Sequence, residues 1–244
     1  MTTPMHTRYM LQHSRIVFIG LGGIGSVLSL FLSQFLYSLK RECTMYLVDG
    51  DHYEPRNEER MLFSRVANKA EVKSEELSKQ FGDFIHYRPI PNEVTRENIA
   101  GTVQEGDVAF LCVDNHVTRL LTSQHCETLE NILLISGGND GVEDGKDGTF
   151  GNVQIYFRSE NTDVTNSLTK FHPEIKDPAP RKTDETGCGA LIQGAAPQLL
   201  ATNLAVASAM LNTFYSCLLE ELRYEELYLN IIAGTMVPVR RKVE

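Results

Sequence analysis

The chain has 244 residues, 42% of them apolar and 23% charged, which is enough for one large domain with a substantial buried core. Its net charge of -9 and pI near 5.3 argue against a nucleic-acid-binding surface, because neutralising phosphates takes clustered Lys and Arg. Five cysteines, Cys43, Cys112, Cys126, Cys188 and Cys217, are widely spaced without a C-x-x-C pair, so neither a disulfide framework nor a structural zinc site is expected and a reducing compartment is the simpler inference.

The first residues (MTTPMHTRYMLQHSR) are polar and lack an apolar core of signal-peptide length. No apolar run reaches the roughly 18–20 residues that span a bilayer, so a cytoplasmic protein without membrane association is expected. Ile16 to Gly20 (IVFIG) reads as a buried strand, and apolar residues at helical spacing from Gly25 to about Lys40 read as a helix. Thr44 to Val48 is a second strand, ending in the acidic Asp49-Gly50-Asp51. Strand, glycine-rich turn, helix and strand together open a doubly wound parallel sheet. Residues 64–81 read as an exposed helix, His86 to Ile90 as a third strand and Asn98 to Val103 as a short helix. Asp107 to Val113 is a fourth strand running into Asp114-Asn115, followed by a helix over 116–130 and a fifth strand over Ile132 to Ser136.

There the rhythm changes. A Gly- and Asp-rich loop, 137–151, leads into a strand from Asn152 to Phe157, and such a loop suits an antiparallel hairpin better than a crossover. Residues 159–186, with Pro173, Pro178 and Pro180, read as a long irregular segment of the kind that is often functional. A helix rich in Ala and Leu from Ala195 to about Tyr224 is expected mainly in the core, and strands Leu227 to Ile232 and Met236 to Arg240 close the chain. With no repeat and no linker, residues 1–244 form one domain of the α/β class, a Rossmann-like, mainly parallel sheet with antiparallel strands added toward the C-terminus.

The turn Gly20-Leu21-Gly22-Gly23-Ile24-Gly25-Ser26 contains G-x-G-x-x-G between a strand and a helix. Its glycines let the backbone approach a phosphate, and the helix start offers free N–H groups. Asp49, 24 residues past Gly25, stands where a carboxylate can accept bonds from ribose hydroxyls. Alone this says only that an adenosine-containing cofactor binds: NAD, FAD, S-adenosylmethionine and ATP stay open. Asp49, Asp51, Asn57, Arg60 and Lys73 then follow in order, and Asp114-Asn115 has Arg119 one helical turn later. Hydride transfer has little use for that Arg, Lys and extra Asp. A triphosphate does, because the cations offset its charge and an aspartate can hold Mg²⁺.

The ordered set G-x-G-G-x-G-S, D-x-D with Asn57 and Arg60 behind it, Lys73 and D-N-x-x-x-R resembles the ThiF/MoeB superfamily of ubiquitin-activating-type enzymes, over residues 15–135 and more loosely 186–212. In that family D-x-D-x(5)-N-x-x-R and a lysine 13 residues after the arginine belong to the ATP site, and Asp49, Asp51, Asn57, Arg60 and Lys73 match that spacing. The family's magnesium-associated aspartate corresponds to Asp114, with Asn115 beside it in the nucleotide-binding set. The resemblance implies ATP- and Mg²⁺-dependent adenylation of the C-terminal Gly-Gly carboxylate of a ubiquitin-like or sulfur-carrier protein, with Arg60, Lys73 and Asp114 catalytic. It further implies a homodimer, in which Arg8 is a candidate to reach a partner's site, and a reactive thiol at Cys188 in T-G-C-G. Departures are the missing C-x-x-C pairs and Gly50 and Met61 where Phe and Gln are common. A NAD-dependent oxidoreductase, a small-acid or RNA-base adenylating enzyme, and a non-catalytic scaffold subunit are the alternatives.

Overall fold

A computed structural model of the chain describes residues 15–40, 42–58, 60–143, 146–177 and 199–240. Arg8 and Cys188 lie outside the described residues. The first strand, β1 (Arg15–Ile19), leads into α1 (Gly23–Ser38), and β2 (Cys43–Val48) follows. A 3-10 turn at Pro55–Asn57 precedes α2 (Lys69–Phe81) and β3 (Ile85–Ile90). Next come α3 (Ile99–Thr102), β4 (Val108–Leu111), α4 (His116–Cys126) and β5 (Ile132–Asn139). A small hairpin, β6 (Val142–Glu143) with β7 (Lys146–Asp147), leads to β8 (Phe150–Ser159) and β9 (Thr162–Asp163). The described chain ends with α5 (Pro173–Lys176), α6 (Leu200–Leu218), β10 (Glu226–Asn230) and β11 (Thr235–Val239).

The main sheet runs β11-β10-β8-β5-β4-β1-β2-β3, with β9 on β8. β3, β2, β1, β4 and β5 pair in parallel, whereas β5–β8, β8–β10 and β10–β11 are antiparallel, as the sequence predicts. β1 and β4 are apolar at almost every position because helices cover both faces of the sheet. On one face α1, α2 and α6 cover Phe18 and Phe110, stacked at 4.9 Å, with Phe214 edge-on to Phe110 at 5.6 Å. The other face packs Val17, Ile19, Ala109, Leu111 and Tyr156 with Val103 of the α3 end, Cys126 of α4 and Ile175 of α5. Among the described residues no helix is long and apolar enough to cross a membrane.

Several boundaries differ from the sequence reading. α1 starts at Gly23 rather than Gly25, so the last glycines of the motif lie inside its first turn. The helix expected over 64–81 starts only at Lys69, where the Asn68 side chain caps it by accepting from Ala70 N and Glu71 N, and its face with Ala70, Val72, Leu77 and Phe81 is buried rather than exposed. β5 runs three residues further than Ser136, to Asn139, and the segment after 159 holds β9 and α5. α6 stops at Leu218, before Tyr224. Its Val206, Met210 and Phe214 are core, while Leu204 and Tyr215 are exposed.

Candidate active site

Where the strand order reverses between β1 and β4, the carboxyl ends of the parallel strands open into a cleft of about 1410 Å³ that continues over β5, β8 and β10. Gly20 turns the chain out of β1 with φ +91°, and a Cβ there would sit 2.8 Å from the Cys112 carbonyl oxygen. Gly22 and Gly23 line the cleft at the start of α1. Gly25 does not line it: a Cβ there would lie 2.0 Å from the Gly20 carbonyl oxygen, so it allows the helix to press on its own loop.

Asp49, at the end of β2, accepts from Leu21 N at 2.6 Å and Asp51 N at 2.9 Å, and so ties the glycine loop to the acidic segment. Burial raises its pKa, against the pull of Lys69 and these N–H bonds. Asn57 lines the cleft from the 3-10 turn, and its carbonyl accepts Arg60 N and Met61 N, which brings the Arg60 and Met61 side chains to the cleft wall.

The lysine at the cleft is Lys69, not Lys73. Lys69 is buried and donates to Asp51 Oδ2 at 2.9 Å, while its own N–H bonds the Asp51 carbonyl. Lys73, one helical turn on, donates to Glu76 Oε2 at 2.7 Å and the Leu62 carbonyl at 3.2 Å, with its ammonium 4.5 Å from the Phe63 ring centroid. It is not among the residues lining the cleft.

Asp114 and Asn115 reach the cleft between β4 and α4. The Asn115 side chain caps α4 by accepting from Thr118 N at 2.8 Å. Arg119 is buried beneath them, donating to Ser136 Oγ and to the carbonyls of Val113 and Gly137. Burial pulls the pKa of this guanidinium down, against the opposing charge of Asp114. It remains a cation at neutral pH. Arg60, Lys69 and Arg119 thus line the same cleft as the glycine loop and Asp114.

The far end of the cleft holds residues that sequence spacing did not single out. His172 is bonded through Nδ1 to Glu174 Oε1 and through Nε2 to Glu226 Oε1, each at 2.9 Å, and Tyr228 Oη donates to Glu226 Oε2. The bond to Glu226 foremost, and that to Glu174, raise the His172 pKa against desolvation. With a carboxylate oxygen against each ring nitrogen, both donate when the ring is protonated. Of the described cysteines, Cys112 and Cys217 are buried, and burial pushes each thiol up to about 12. Desolvation raises Cys43 to about 11 and Cys126 higher still, so none of these four is a thiolate at neutral pH.

Among the described residues no group of three or more His, Cys, Asp or Glu could hold a metal ion by itself. Mg²⁺ that arrives on a triphosphate needs only one or two carboxylates besides phosphate oxygens and water. Asp114, which lines the same cleft as the glycine loop and has no ion pair among the described residues, fits that need, whereas Asp51 is engaged by Lys69.

The family model described as ThiF family matches residues 3–236. The chain belongs to the ThiF family. Relatives include the adenylyltransferase and sulfurtransferase uba4 of Aspergillus fumigatus, 28% identical over 116 residues that make up 46% of this chain and 22% of that protein. Its counterpart in Aspergillus terreus is also 28% identical over 116 residues, 23% of its length. The ThiF match to these relatives thus spans less than a quarter of their length. The crystal structure of E. coli MccB with ATP superposes with a TM-score of 0.67 at 16% identity, covering 96% of this chain and 66% of that one. PaaA gives 0.67 at 16% identity, covering 98% and 67%. At such identities the likeness carries the ThiF-type fold.

Proposed function

We propose that the chain binds ATP in the cleft and adenylates a carboxylate, that of a protein or peptide acceptor ending in Gly-Gly. The observation that carries this reading is that Arg60, Lys69 and Arg119 line one cleft with the glycine loop and Asp114, a charge set that suits a triphosphate and is superfluous for a dinucleotide. The names of the relatives, an adenylyltransferase and sulfurtransferase and an MccB bound to ATP, support it.

In this mechanism the α1 N-terminus and the glycine loop hold phosphate oxygens on backbone N–H groups. Asp49, already accepting Leu21 N and Asp51 N, keeps lone pairs for ribose hydroxyls. The acceptor's carboxylate oxygen bonds to the α-phosphorus as the bond from that phosphorus to the bridging oxygen breaks, and pyrophosphate leaves with the electron pair. Arg60 and Lys69 stabilise the charge that grows on the leaving phosphates, and Lys69 must exchange Asp51 for phosphate to do so. Mg²⁺, when bound, neutralises phosphate charge, and Asp114 would hold it. Lys73 takes no part. Cys188 is proposed as the thiol that accepts the acyl group after adenylation, and the chain is proposed to act as a homodimer.

ATP–pyrophosphate exchange, with and without proteins ending in Gly-Gly, tests the reading. Exchange that depends on such a protein is expected. Binding of NAD in place of ATP would overturn it.

A further inference from the structure

The helices that follow β1, β2 and β4 are finished differently at their starts. Asn68 caps α2 and Asn115 caps α4, each side-chain oxygen accepting backbone N–H groups of the first turn. The α1 start, in the glycine loop, has no side-chain cap among the described residues, and its first N–H groups lack an intrahelical partner.

A donor lies beneath that start instead. Asn203, in the first turn of α6, is fully buried, and its Nδ2 has no hydrogen-bond partner among the described residues. A Cβ on Gly23 would fall 2.0 Å from that nitrogen, so the amide occupies the place of a side chain there and makes glycine necessary. The Asn203 Oδ1 accepts from Asn139 Nδ2 at 3.0 Å. Gly23 and Asn139 line the cleft, whereas Asn203 does not, so its amide joins two points of the cleft wall from behind. The helix that carries it has little room to retreat. Val206 Cγ2 stands 2.4 Å from where a Cβ on Gly151 would be, and Met210 Sδ 2.2 Å from one on Gly137. Thr202 Oγ1 also donates to the Gly148 carbonyl at 2.7 Å.

A buried donor left unpaired is destabilising, so it persists where it serves something else. Where no water screens it, this one adds to the positive end of α1, and an anion in the glycine loop meets both. We propose that Asn203 is a positioning residue of the nucleotide site, which sets Gly23 and Asn139 in the cleft wall and strengthens the hold of the α1 N-terminus on a phosphate group. The inference rests on the ATP-binding reading. It concerns the phosphates alone, so adenosine, which has none, is indifferent to it.

Calorimetric titration of the full chain with a non-hydrolysable ATP analogue and with adenosine separates the two. Asn203→Asp keeps the shape and the bond from Asn139 but replaces the donor with an acceptor, and is expected to weaken the analogue about tenfold. Asn203→Ala should weaken it about fivefold. Both variants should hold adenosine within about twofold of the native chain, which a general loss of structure would not allow. Melting temperatures test the contact itself. Gly23→Ala alone must displace the amide and should lower the Tm, whereas in the Asn203→Ala background the same methyl enters vacated space and should not. That double variant, which refills the volume, should still bind the analogue about fivefold more weakly than the native chain, because the donor is gone. An unchanged preference for the analogue over adenosine in the folded Asn203 variants overturns the inference and leaves the ATP reading intact. Native analogue affinity in the double variant, or Tm losses that simply add, does the same. A native chain that binds the analogue no better than adenosine overturns both.

Discussion

One helical turn separates two buried lysines with different partners. Lys69 faces the cleft on Asp51, whose side chain is 68% exposed, and Lys73 is enclosed by Glu76, the Leu62 carbonyl and Phe63. A cation poised beside developing phosphate charge is worth far more in the transition state than in the resting site. Lys69→Met is therefore expected to lower the exchange rate on the order of 10²-fold. Lys73→Met, which leaves Glu76 without its cation and the Leu62 carbonyl without its donor, should leave exchange within a few-fold while destabilising the chain by about 3 kcal/mol. The opposite ranking in exchange assays would return the phosphate role to Lys73. His172 carries a second prediction, in pH. Its pKa in the folded chain is raised above 6.5, by Glu226 foremost. The stability it contributes is therefore complete below 6.5 and is lost as pH rises through the folded value. Asp107, which burial lifts to about 6, has finished most of its own titration below that window. Between pH 7 and 9 the melting temperature of the native chain should fall more steeply than that of His172→Gln. Parallel curves would show that His172 titrates without coupling to folding.

At the level of elements, the start of α2 decides the site's geometry. Asn68 accepts from Ala70 N and Glu71 N, and its Nδ2 donates to the carbonyls of Asp49 and Asp51. One side chain thus fixes both where the helix begins and how the acidic segment after β2 lies against it. Asn68→Ala removes both sets of bonds and should cost about 1–2 kcal/mol, a fall of roughly 2–8 °C in Tm for a chain of this length. ATP affinity should fall with it, because Lys69 is the next residue. Asn68→Ser keeps a capping oxygen without the Nδ2 donor and should recover the cap's share of the melting temperature; failure to recover any would place the loss in the bonds to the Asp49 and Asp51 carbonyls. The same residue explains what was legible in the sequence. The glycine loop could be read because a left-handed turn at Gly20 and the contact of Gly25 with it demand glycine. The parallel strands showed as apolar runs, and the antiparallel pair β5–β8 was signalled by its Gly- and Asp-rich connection. Counting residues from Arg60 points to Lys73, whereas the lysine that lines the cleft is Lys69, because spacing does not show where a side-chain cap sets a helix's start. His172 and Glu226, 54 residues apart, and the row Ser136–Gln154–Glu226 exist only once β8 and β10 are paired.

Over the whole molecule, the described residues leave apolar side chains of α1 and α6 exposed. The two helices pack through Phe35 against Phe214 and Tyr215 at 6.5 and 5.9 Å, which fills the groove between them. Outward from that seam, Leu200, Leu204, Tyr215 and Leu219 of α6 and its C-cap, with Phe31 of α1, are each 44–53% exposed. Leu200, Leu204, Tyr215 and Leu219 are spaced by 4, 11 and 4 residues, so they recur near one helical stripe rather than scatter. Single exposed leucines are ordinary, whereas a stripe beside an exposed phenylalanine is the pattern of an interface. A two-fold pairing of this face suits the homodimer expected from the family resemblance, because a self-complementary apolar stripe closes on one copy. Sedimentation equilibrium should then give twice the 27.4 kDa of the chain. Leu204→Glu with Tyr215→Glu should return it to 27.4 kDa, since burying two carboxylates against their own copies would cost several kcal/mol across the pair. Both positions are exposed in the single chain, so the variant's circular dichroism spectrum should be unchanged. A dimer that survives both substitutions would place the interface on another face, and a native chain that sediments as a monomer would remove the pairing altogether.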